Sequence, residues 1–359
     1  MNTPNIQNAY SLEEIKQRLG VSTHVLGPDR LGPKTIETIR KSGISNIELC
    51  ACEQLHYDYL DGDQTREIMN ACREQAVNVV SFHGHDPMHG RDLYSEDEAK
   101  RSKAVKETTR AATLAKDFGA EVFVLHCGAI PQAQKSITEL LRRLEGMSIT
   151  LAVENSSVAG SGAFDLSDCR QFAERINSPF FGIAVDIGHL VNYVADPEMS
   201  HPLFAKGGAY RELQKCGSFL CHVHLHDARD FEKRFAHHGE HNDHYPPFLG
   251  DIDWQDLFVA LKKLQYQGGF MFEPIGWWSE RISSALAELL GRSQGDATDI
   301  INLVAAFPEK LLQTIWDFLC VFGQVDALIR VLDAHPGFRK DSRRDSPGGQ
   351  AFMRLIDRD

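Results

Sequence analysis

The stretch from Phe219 to Asp227, which reads Phe-Leu-Cys-His-Val-His-Leu-His-Asp, carries three histidines at alternate positions. Side chains along a β-strand point alternately to its two faces, so His222, His224 and His226 share one face if this apolar run is a strand. Three imidazoles fill a hydrophobic core poorly, but they suit binding of a metal ion or an anionic substrate. This stretch therefore indicates a site of metal or acid–base chemistry.

Other apolar runs of strand length end in the same residue types. The polar residues at or next to the ends of successive runs are His83, His126, Glu154, Asp186, His224 and Glu273. The runs themselves are predicted strands: Leu19–His24, Asn46–Leu49, Val77–His83, Glu121–His126, Ile149–Glu154, Phe181–Asp186, Phe219–His226 and Gly269–Glu273.

Longer amphipathic segments separate these predicted strands, so the chain alternates strand and helix. One of the helices shows a capping box in Ser95 and Glu98 and a stop at Gly119. Eight strand–helix units predict an α/β fold in which a parallel sheet closes as a (β/α)8 TIM barrel. A doubly wound open sheet is the alternative, and the lack of a Gly-x-Gly-x-x-Gly turn after the first strand counts against it.

In such a barrel the carboxyl ends of all strands meet at one face, where active sites are built. Six ligand-type residues would converge there, and their carboxylates would repel each other unless cations neutralised them. The pattern predicts a divalent metal. Mixed histidine and carboxylate ligands favour Mn, Zn, Co or Fe over Ca, which prefers oxygen ligands alone.

Composition narrows the class of protein. The chain has 359 residues and a net charge of −12, with no dense run of Lys and Arg before residue 330, so nucleic acid is not the expected partner. We expect no membrane span and no secretory signal. Eight cysteines without a Cys-x-x-Cys pair indicate reduced thiols and a cytoplasmic location.

The barrel is predicted to occupy residues 1–292. Residues 293–335 are predicted to form a helical extension that packs on the barrel or covers a partner subunit, which leaves a homo-oligomer open. Residues 336–359 are polar and predict a flexible tail.

Seven short motifs together resemble the xylose-isomerase-like barrels, a group of sugar isomerases and epimerases that also includes nucleases of the endonuclease IV type. The resemblance covers roughly residues 20–290. The motifs are Ser81-Phe-His83, Val124-Leu-His126-Cys-Gly128, Ala152-Val-Glu154-Asn, Asp186-Ile-Gly-His189, His222-Val-His224-Leu-His-Asp227, Leu249-Gly-Asp-Ile-Asp-Trp254 and Phe272-Glu273-Pro.

The isomerase-like branch of this family implies one metal ion held by Glu154, Asp186, His224 and Glu273, with Mg as a further candidate ion. It also implies that Glu154 and Glu273 move protons on a small sugar or keto-sugar through an enediolate. The residues expected to contact the substrate are His83, His126, His189, Arg229 and Trp277.

Two alternatives stay open. A multinuclear phosphodiesterase of the endonuclease IV type would add His83 and His126 to a second metal and His189 to a third. The third metal is less well matched, because Asp243 and His244 are adjacent where the nuclease pattern spaces them. We interpret residues 237–244 as a solvated substrate loop. A lyase or dehydratase of an oxidised sugar would use the same metal and base.

Two residues near the ends of the first two strands complete the set of candidates. His24 ends the first predicted strand and Glu48 lies near the end of the second. Each is placed where a substrate could touch it, and each is as readily explained by a structural role.

Overall fold

The protein forms a closed barrel of eight parallel strands. The computed structural model describes residues 10, 12–26, 30–41, 43–51, 56–84, 91–127, 130–155, 165–191, 200–228, 230, 244 and 251–273. The strands follow one another in sequence order around the barrel, and the last pairs in parallel with the first. They are β1 Leu19–Ser22, β2 Asn46–Cys50, β3 Asn78–His83, β4 Val122–Leu125, β5 Thr150–Glu154, β6 Phe181–Asp186, β7 Leu220–Leu225 and β8 Phe270–Phe272.

This closed barrel confirms the predicted (β/α)8 architecture and excludes the open sheet. All eight predicted strands are present, and β6 has the predicted bounds. The first strand is shorter than predicted, because a 3-10 helix begins at Thr23. His24 therefore lies in this helix rather than in β1.

Helices connect the strands on the outside of the barrel. They are α1 Leu12–Arg18, α2 Pro33–Lys41, α3 Gly62–Gln75, α4 Glu98–Phe118, α5 Ile130–Arg143, α6 Leu166–Ile176, α7 Ile187–Leu190, α8 Gly208–Leu213 and α9 Trp254–Lys263. Short 3-10 helices span Thr23–Leu26, Arg91–Tyr94, Pro202–Phe204 and Gln214–Phe219. None of the described helices is long and apolar enough to cross a membrane.

Helix α4 ends at Gly119 as predicted, but its N-cap differs from the prediction. The carboxylate of Asp97 accepts hydrogen bonds from the backbone N–H groups of Ala99 and Lys100, so Asp97 is the N-cap. The Ser95 hydroxyl accepts only from the Asp97 backbone. A carboxylate at this position also interacts favourably with the helix dipole.

Alternation along the strands sorts buried residues into two layers. Ile47 and Leu49 of β2 belong to the main apolar core, which also includes helix residues such as Ile36. Glu48 lies between them in the sequence, so its side chain points to the opposite face of the strand, into the barrel. A separate apolar cluster of Val124, Ala152 and Ala184 fills part of this interior. Glu154, Asp186 and His224 therefore also point inward, at the carboxyl ends of their strands.

The predicted helical extension (residues 293–335) and tail (336–359) lie outside the described residues. The same holds for the helix expected after β8. The division of the chain at residues 292 and 335 stays a prediction.

Candidate active site

Four buried side chains from four strands meet at the carboxyl end of the barrel. His83 ends β3, Glu154 ends β5, His224 lies one residue before the end of β7, and Glu273 directly follows β8. One ligand atom of each residue lies within 4.8 Å of those of the other three. The barrel thus brings together groups that are far apart in the chain.

The atoms at the centre of this cluster suit a cation. His224 Nδ1 lies 3.4 Å from Glu154 Oε1 and 3.2 Å from Glu273 Oε2. Within the described part of the chain, His224 Nδ1 and Glu154 Oε1 are buried without a hydrogen-bond partner. Buried polar atoms are rarely left in this state. An imidazole nitrogen and two carboxylate oxygens are ligands of Zn, Mn, Fe or Co, so these residues fit a divalent metal.

Two histidines other than His224 lie against the second oxygen of Glu154. His83 Nε2 is 3.0 Å and His126 Nε2 is 3.1 Å from Glu154 Oε2. The other ring nitrogen of His83 donates to the Gly84 carbonyl at 3.1 Å. Because both neighbours of His83 are acceptors, its ring is an imidazolium when no metal is bound. Burial lowers the pKa of His83, but the hydrogen bond and charge of Glu154 outweigh it and raise the pKa to about 10.

The interior carboxylates are ionised. Burial raises the pKa of Glu154, yet the charges of His126 and His224 hold it well below its ordinary value. The pKa of Glu273 is lowered against the same burial, first by the charge of His224 and then by the nearby ring of His24. Among the described residues, every ion pair of these two carboxylates is with a histidine.

Asp186, the fourth predicted metal ligand, lies in an adjacent cluster. Both of its carboxylate oxygens lie 2.8 Å from His226 Nε2, and Oδ1 accepts from the His189 backbone N–H at 2.7 Å. The Asn155 side chain pairs with the Asp186 backbone and fixes the end of β6. In this second cluster, one ligand atom each from Asp186, His189 and His244 lies within 4.8 Å of the other two. Three of the four predicted ligands thus share one cluster, and ligation by Asp186 stays a prediction.

His189 connects the two clusters. Its Nδ1 lies 3.3 Å from Glu154 Oε1 and also 3.0 Å from the Asn155 carbonyl. Its Nε2 lies 3.1 Å from His244 Nε2, while His244 Nδ1 donates to the Glu273 carbonyl at 2.9 Å. Both Nδ1 atoms face acceptors, so each carries a proton. In two neutral rings the Nε2 atoms would then have lone pairs that face each other. A proton or a cation must lie there.

His244 corrects one interpretation of the sequence. We expected residues 237–244 to form a solvated loop, but His244, the one residue of this stretch that the structure describes, is buried. Its ring stacks on His226 with the ring centroids 3.9 Å apart. The predicted substrate contacts Arg229 and Trp277 lie outside the described residues.

Sequence reasoning missed Ser22, whose hydroxyl donates to Glu273 Oε1 at 3.1 Å. His24, which we named as a candidate, has its Nδ1 3.6 Å from the same oxygen. For Glu48 a substrate contact and a structural role were both open, and the side chain is fully buried in contact with His222 and His224. The signal was available for Glu48, because a charged residue between Ile47 and Leu49 must point into the barrel.

The barrel and its ring of histidines and carboxylates define a xylose-isomerase-like protein. The family model for the xylose isomerase-like TIM barrel matches residues 36–290, so the chain belongs to this family.

Its curated relatives include sugar-phosphate epimerases. The chain is 25% identical over 289 residues to the L-ribulose-5-phosphate 3-epimerase of Escherichia coli strain SMS-3-5, covering 76% of this chain and 90% of that protein. It is 23% identical over 290 residues to a putative L-ribulose-5-phosphate 3-epimerase of E. coli K12, covering 76% and 93%.

Solved structures share the fold. A D-psicose 3-epimerase from Clostridium cellulolyticum H10 with D-tagatose superposes with a TM-score of 0.59 at 16% identity, covering 84% of this chain and 98% of that chain. A D-tagatose 3-epimerase-like protein gives a TM-score of 0.56 at 21% identity, covering 80% and 98%.

Proposed function

We propose that this protein is a divalent-metal-dependent epimerase or isomerase of a small keto-sugar or its phosphate. The observation that carries the proposal is the arrangement of Glu154 and Glu273, whose carboxylates both lie next to His224 Nδ1. The related epimerases support the reaction class. Glu154, His224 and Glu273 would hold the metal, and Asp186 is the proposed fourth ligand.

A divalent cation bound by these residues would stabilise the negative charge that develops on the substrate carbonyl as a neighbouring C–H proton leaves. The protein's own groups move that proton. In the substrate complex one of Glu154 and Glu273 would be ionised and remove this proton, and the other would be protonated and deliver its own proton to the opposite face of the carbon, which inverts the configuration. The two glutamates exchange protonation states in the step, so the number of protons on the protein is unchanged. If the proton returns to the adjacent carbon, the result is isomerisation.

Neighbouring residues keep the two carboxylates in place for this exchange. His83 and His126 contact Glu154 Oε2, whereas Ser22 and His24 approach Glu273 Oε1. Each glutamate therefore has one oxygen held by the protein and one directed at the centre of the site. Burial of both groups excludes water, which strengthens these interactions.

Substrate binding completes the proposal. His83, His126 and His189 are the proposed contacts to substrate hydroxyls, and each would exchange a contact to Glu154 for one to the substrate. Arg229 would bind a distal hydroxyl or phosphate, and Trp277 would stack on the sugar. We also propose a cytoplasmic location. The expected partners are a small sugar substrate and, in a homo-oligomer, a second copy of the chain.

Deuterium exchange tests this function directly. The metal-loaded protein is incubated in D₂O with L-ribulose 5-phosphate, D-psicose and D-tagatose, and carbon-bound deuterium is measured by NMR. We expect incorporation at the carbon next to the carbonyl, and no incorporation with Glu154→Gln or Glu273→Gln. Glu139→Gln, on the outer surface, is the control and should exchange normally. Absence of exchange across a broad keto-sugar panel would contradict the proposal.

A multinuclear phosphodiesterase is the second candidate, favoured by the contact of His83 and His126 with Glu154 and by the paired rings of His189 and His244. It requires two or three metal ions per chain and cleavage of abasic DNA. A metal-to-protein ratio of one with intact abasic DNA would exclude it. Loss of water from the substrate, seen in the product mass, would instead identify a lyase or dehydratase.

A further inference from the structure

Glu48 connects opposite sides of the barrel interior. It is the third residue of β2, which pairs with β1 and β3, whereas β7 pairs with β6 and β8. Its Oε2 accepts hydrogen bonds from His222 Nε2 at 3.0 Å and from His224 Nε2 at 3.2 Å, and its Oε1 also lies 3.0 Å from His224 Nε2. Both contacts therefore cross the barrel, which only inward-pointing side chains can do.

A carboxylate at this depth is costly for the fold. Glu48 is 0% exposed, and within the described residues its ion pairs are with His222 and His224 alone. Barrel interiors are usually filled by branched apolar side chains. Replacement of a whole buried ionic cluster, all partners together, by well-packed apolar residues is often neutral or stabilising. Stability alone therefore does not explain why a glutamate occupies this position.

The contact fixes the tautomer of His224. A carboxylate only accepts hydrogen bonds, so His224 Nε2 must carry the proton that faces Glu48. In the neutral ring, Nδ1 then has a free lone pair, and this atom is the one that faces Glu154 and Glu273. Histidines that bind metals commonly donate their other N–H group to a carboxylate, which fixes the orientation of the ring.

His222 holds the carboxylate in turn. Its Nε2 contacts Glu48 Oε2, and its ring meets that of His224 edge to face, with the centroids 5.0 Å apart. Since a carboxylate only accepts hydrogen bonds, His222 Nε2 must donate in this contact. Glu48 is thus held by two neighbouring rings of β7, one of which is His224.

We propose that Glu48 is a positioning residue that holds the Nε2–H tautomer of His224 and directs its Nδ1 at the metal. This inference rests on the proposed function, because it assumes that the cluster of Glu154, His224 and Glu273 binds a divalent cation. His222 completes the arrangement by donating its own hydrogen bond to Glu48 Oε2.

Metal affinity of the full-length protein tests this role. Mn²⁺ and Co²⁺ dissociation constants are measured by competition with a chelating dye for wild type, Glu48→Gln and Glu48→Leu. We expect Glu48→Gln to weaken binding about 10-fold and Glu48→Leu by up to about 100-fold, the range found for such supporting residues. The visible spectrum of the Co²⁺ form should change, because the His224 ring is no longer held.

Glu212→Gln is the matched control, since Glu212 is also a buried carboxylate but pairs with Lys215 on the barrel exterior. It should leave metal affinity and the Co²⁺ spectrum unchanged. Thermal unfolding of the metal-free variants separates positioning from folding. Glu48→Leu leaves His222 and His224 without this acceptor and should melt lower than wild type. Glu48→Gln keeps an acceptor oxygen and should stay folded, so metal affinity is compared only at temperatures where both metal-free variants are folded.

The outcomes are distinguishable. If wild type binds metal and both Glu48 variants bind it equally well, the role of Glu48 is wrong and the proposed function stands. If both variants lose metal only because their metal-free forms are unfolded, Glu48 is structural and the inference is overturned. If wild type itself binds no divalent metal, the proposed function fails and this inference fails with it.

Discussion

Two groups of carboxylates in this molecule are neutralised in different ways. On the outside, Arg101 of α4 lies 2.7 Å from Glu98 of the same helix and 2.9 Å from Glu139 of α5. These ion pairs link the two helices. Lys135 and Arg143 extend this outer network. Inside the barrel, the ion pairs of Glu154 and Glu273 among the described residues are with histidines alone.

The two networks differ in whether their positively charged side chains can give way to a metal ion. A guanidinium keeps its charge at every physiological pH and has no lone pair to give a metal. An imidazole can lose its proton and become a ligand. The outer network is therefore a permanent structural contact, whereas under the proposed function the inner one is a site in which a metal ion replaces protons.

The largest expected effect comes from removing one inner carboxylate. Glu273→Gln keeps the size of the side chain but removes a base and a metal ligand. Loss of general acid–base catalysis alone lowers kcat by about 10² to 10⁴-fold. Steady-state epimerisation of the active keto-sugar measures it. The equivalent outer change, Glu139→Gln, should leave kcat unaltered, and equal losses in both variants would remove the distinction between the networks.

Removal of the metal should destabilise the protein through the inner site alone. A ligand present at 100 times its dissociation constant stabilises the folded state by about 2.7 kcal/mol. We expect a lower unfolding temperature after chelation, restored by Mn²⁺ or Zn²⁺. Arg101→Met should retain the whole of this metal-dependent increment. An unfolding temperature that does not respond to the chelator or to added metal would contradict the inner site.

The two forms should also differ in how their stability depends on pH. In the metal-free protein the pKa of His83 is raised from 6.5 to about 10, since the hydrogen bond and charge of Glu154 outweigh the effect of burial. A raised pKa contributes stability that is fully present below pH 6.5 and is lost as the pH rises towards 10.

Urea unfolding from pH 6 to 10 measures this effect. The metal-free form should lose stability over that range, and the metal-loaded form should lose less, because the metal holds the inner carboxylates without bound protons. Calorimetry in buffers of different ionisation enthalpy should also show proton release on metal binding. Parallel pH profiles for the two forms would show that the inner histidines do not exchange protons for metal.

The smallest effect is expected from the outer network. Arg101→Met removes contacts to Glu98, Glu139 and the Ser136 hydroxyl. Arg101 is buried, but Glu98 is largely exposed, so we expect a loss of about 1–2 kcal/mol. Chemical denaturation measures it, with metal affinity as the internal control. A change in metal affinity would indicate that the networks are coupled.

The sequence was sufficient to predict the barrel and the face on which its polar groups converge. Strand length, apolar alternation and the acidic or histidine residues at strand ends all follow from local chemistry. Glu154, His224 and Glu273 are brought together because each lies at the carboxyl end of a strand. Their convergence can therefore be predicted without knowing the stagger of the strands.

The depth of each residue could not be predicted in the same way. Alternation shows that Glu48 points inward, but the stagger of the strands decides that it meets His222 and His224 from across the barrel. Asp186 pairs with His224 in the register of β6 and β7, yet its carboxylate contacts His226, which the sequence does not reveal. His244 was misread because its neighbours in sequence are polar, whereas its burial depends on the distant residues His189 and His226.

The most direct test of the central claim is anomalous diffraction from crystals grown with Mn²⁺, collected near the manganese edge. We predict an anomalous peak between His224 Nδ1, Glu154 Oε1 and Glu273 Oε2, and its loss in His224→Ala crystals grown in the same way. A wild-type map with no peak among these three atoms would contradict the claim that the inner carboxylates form a metal site.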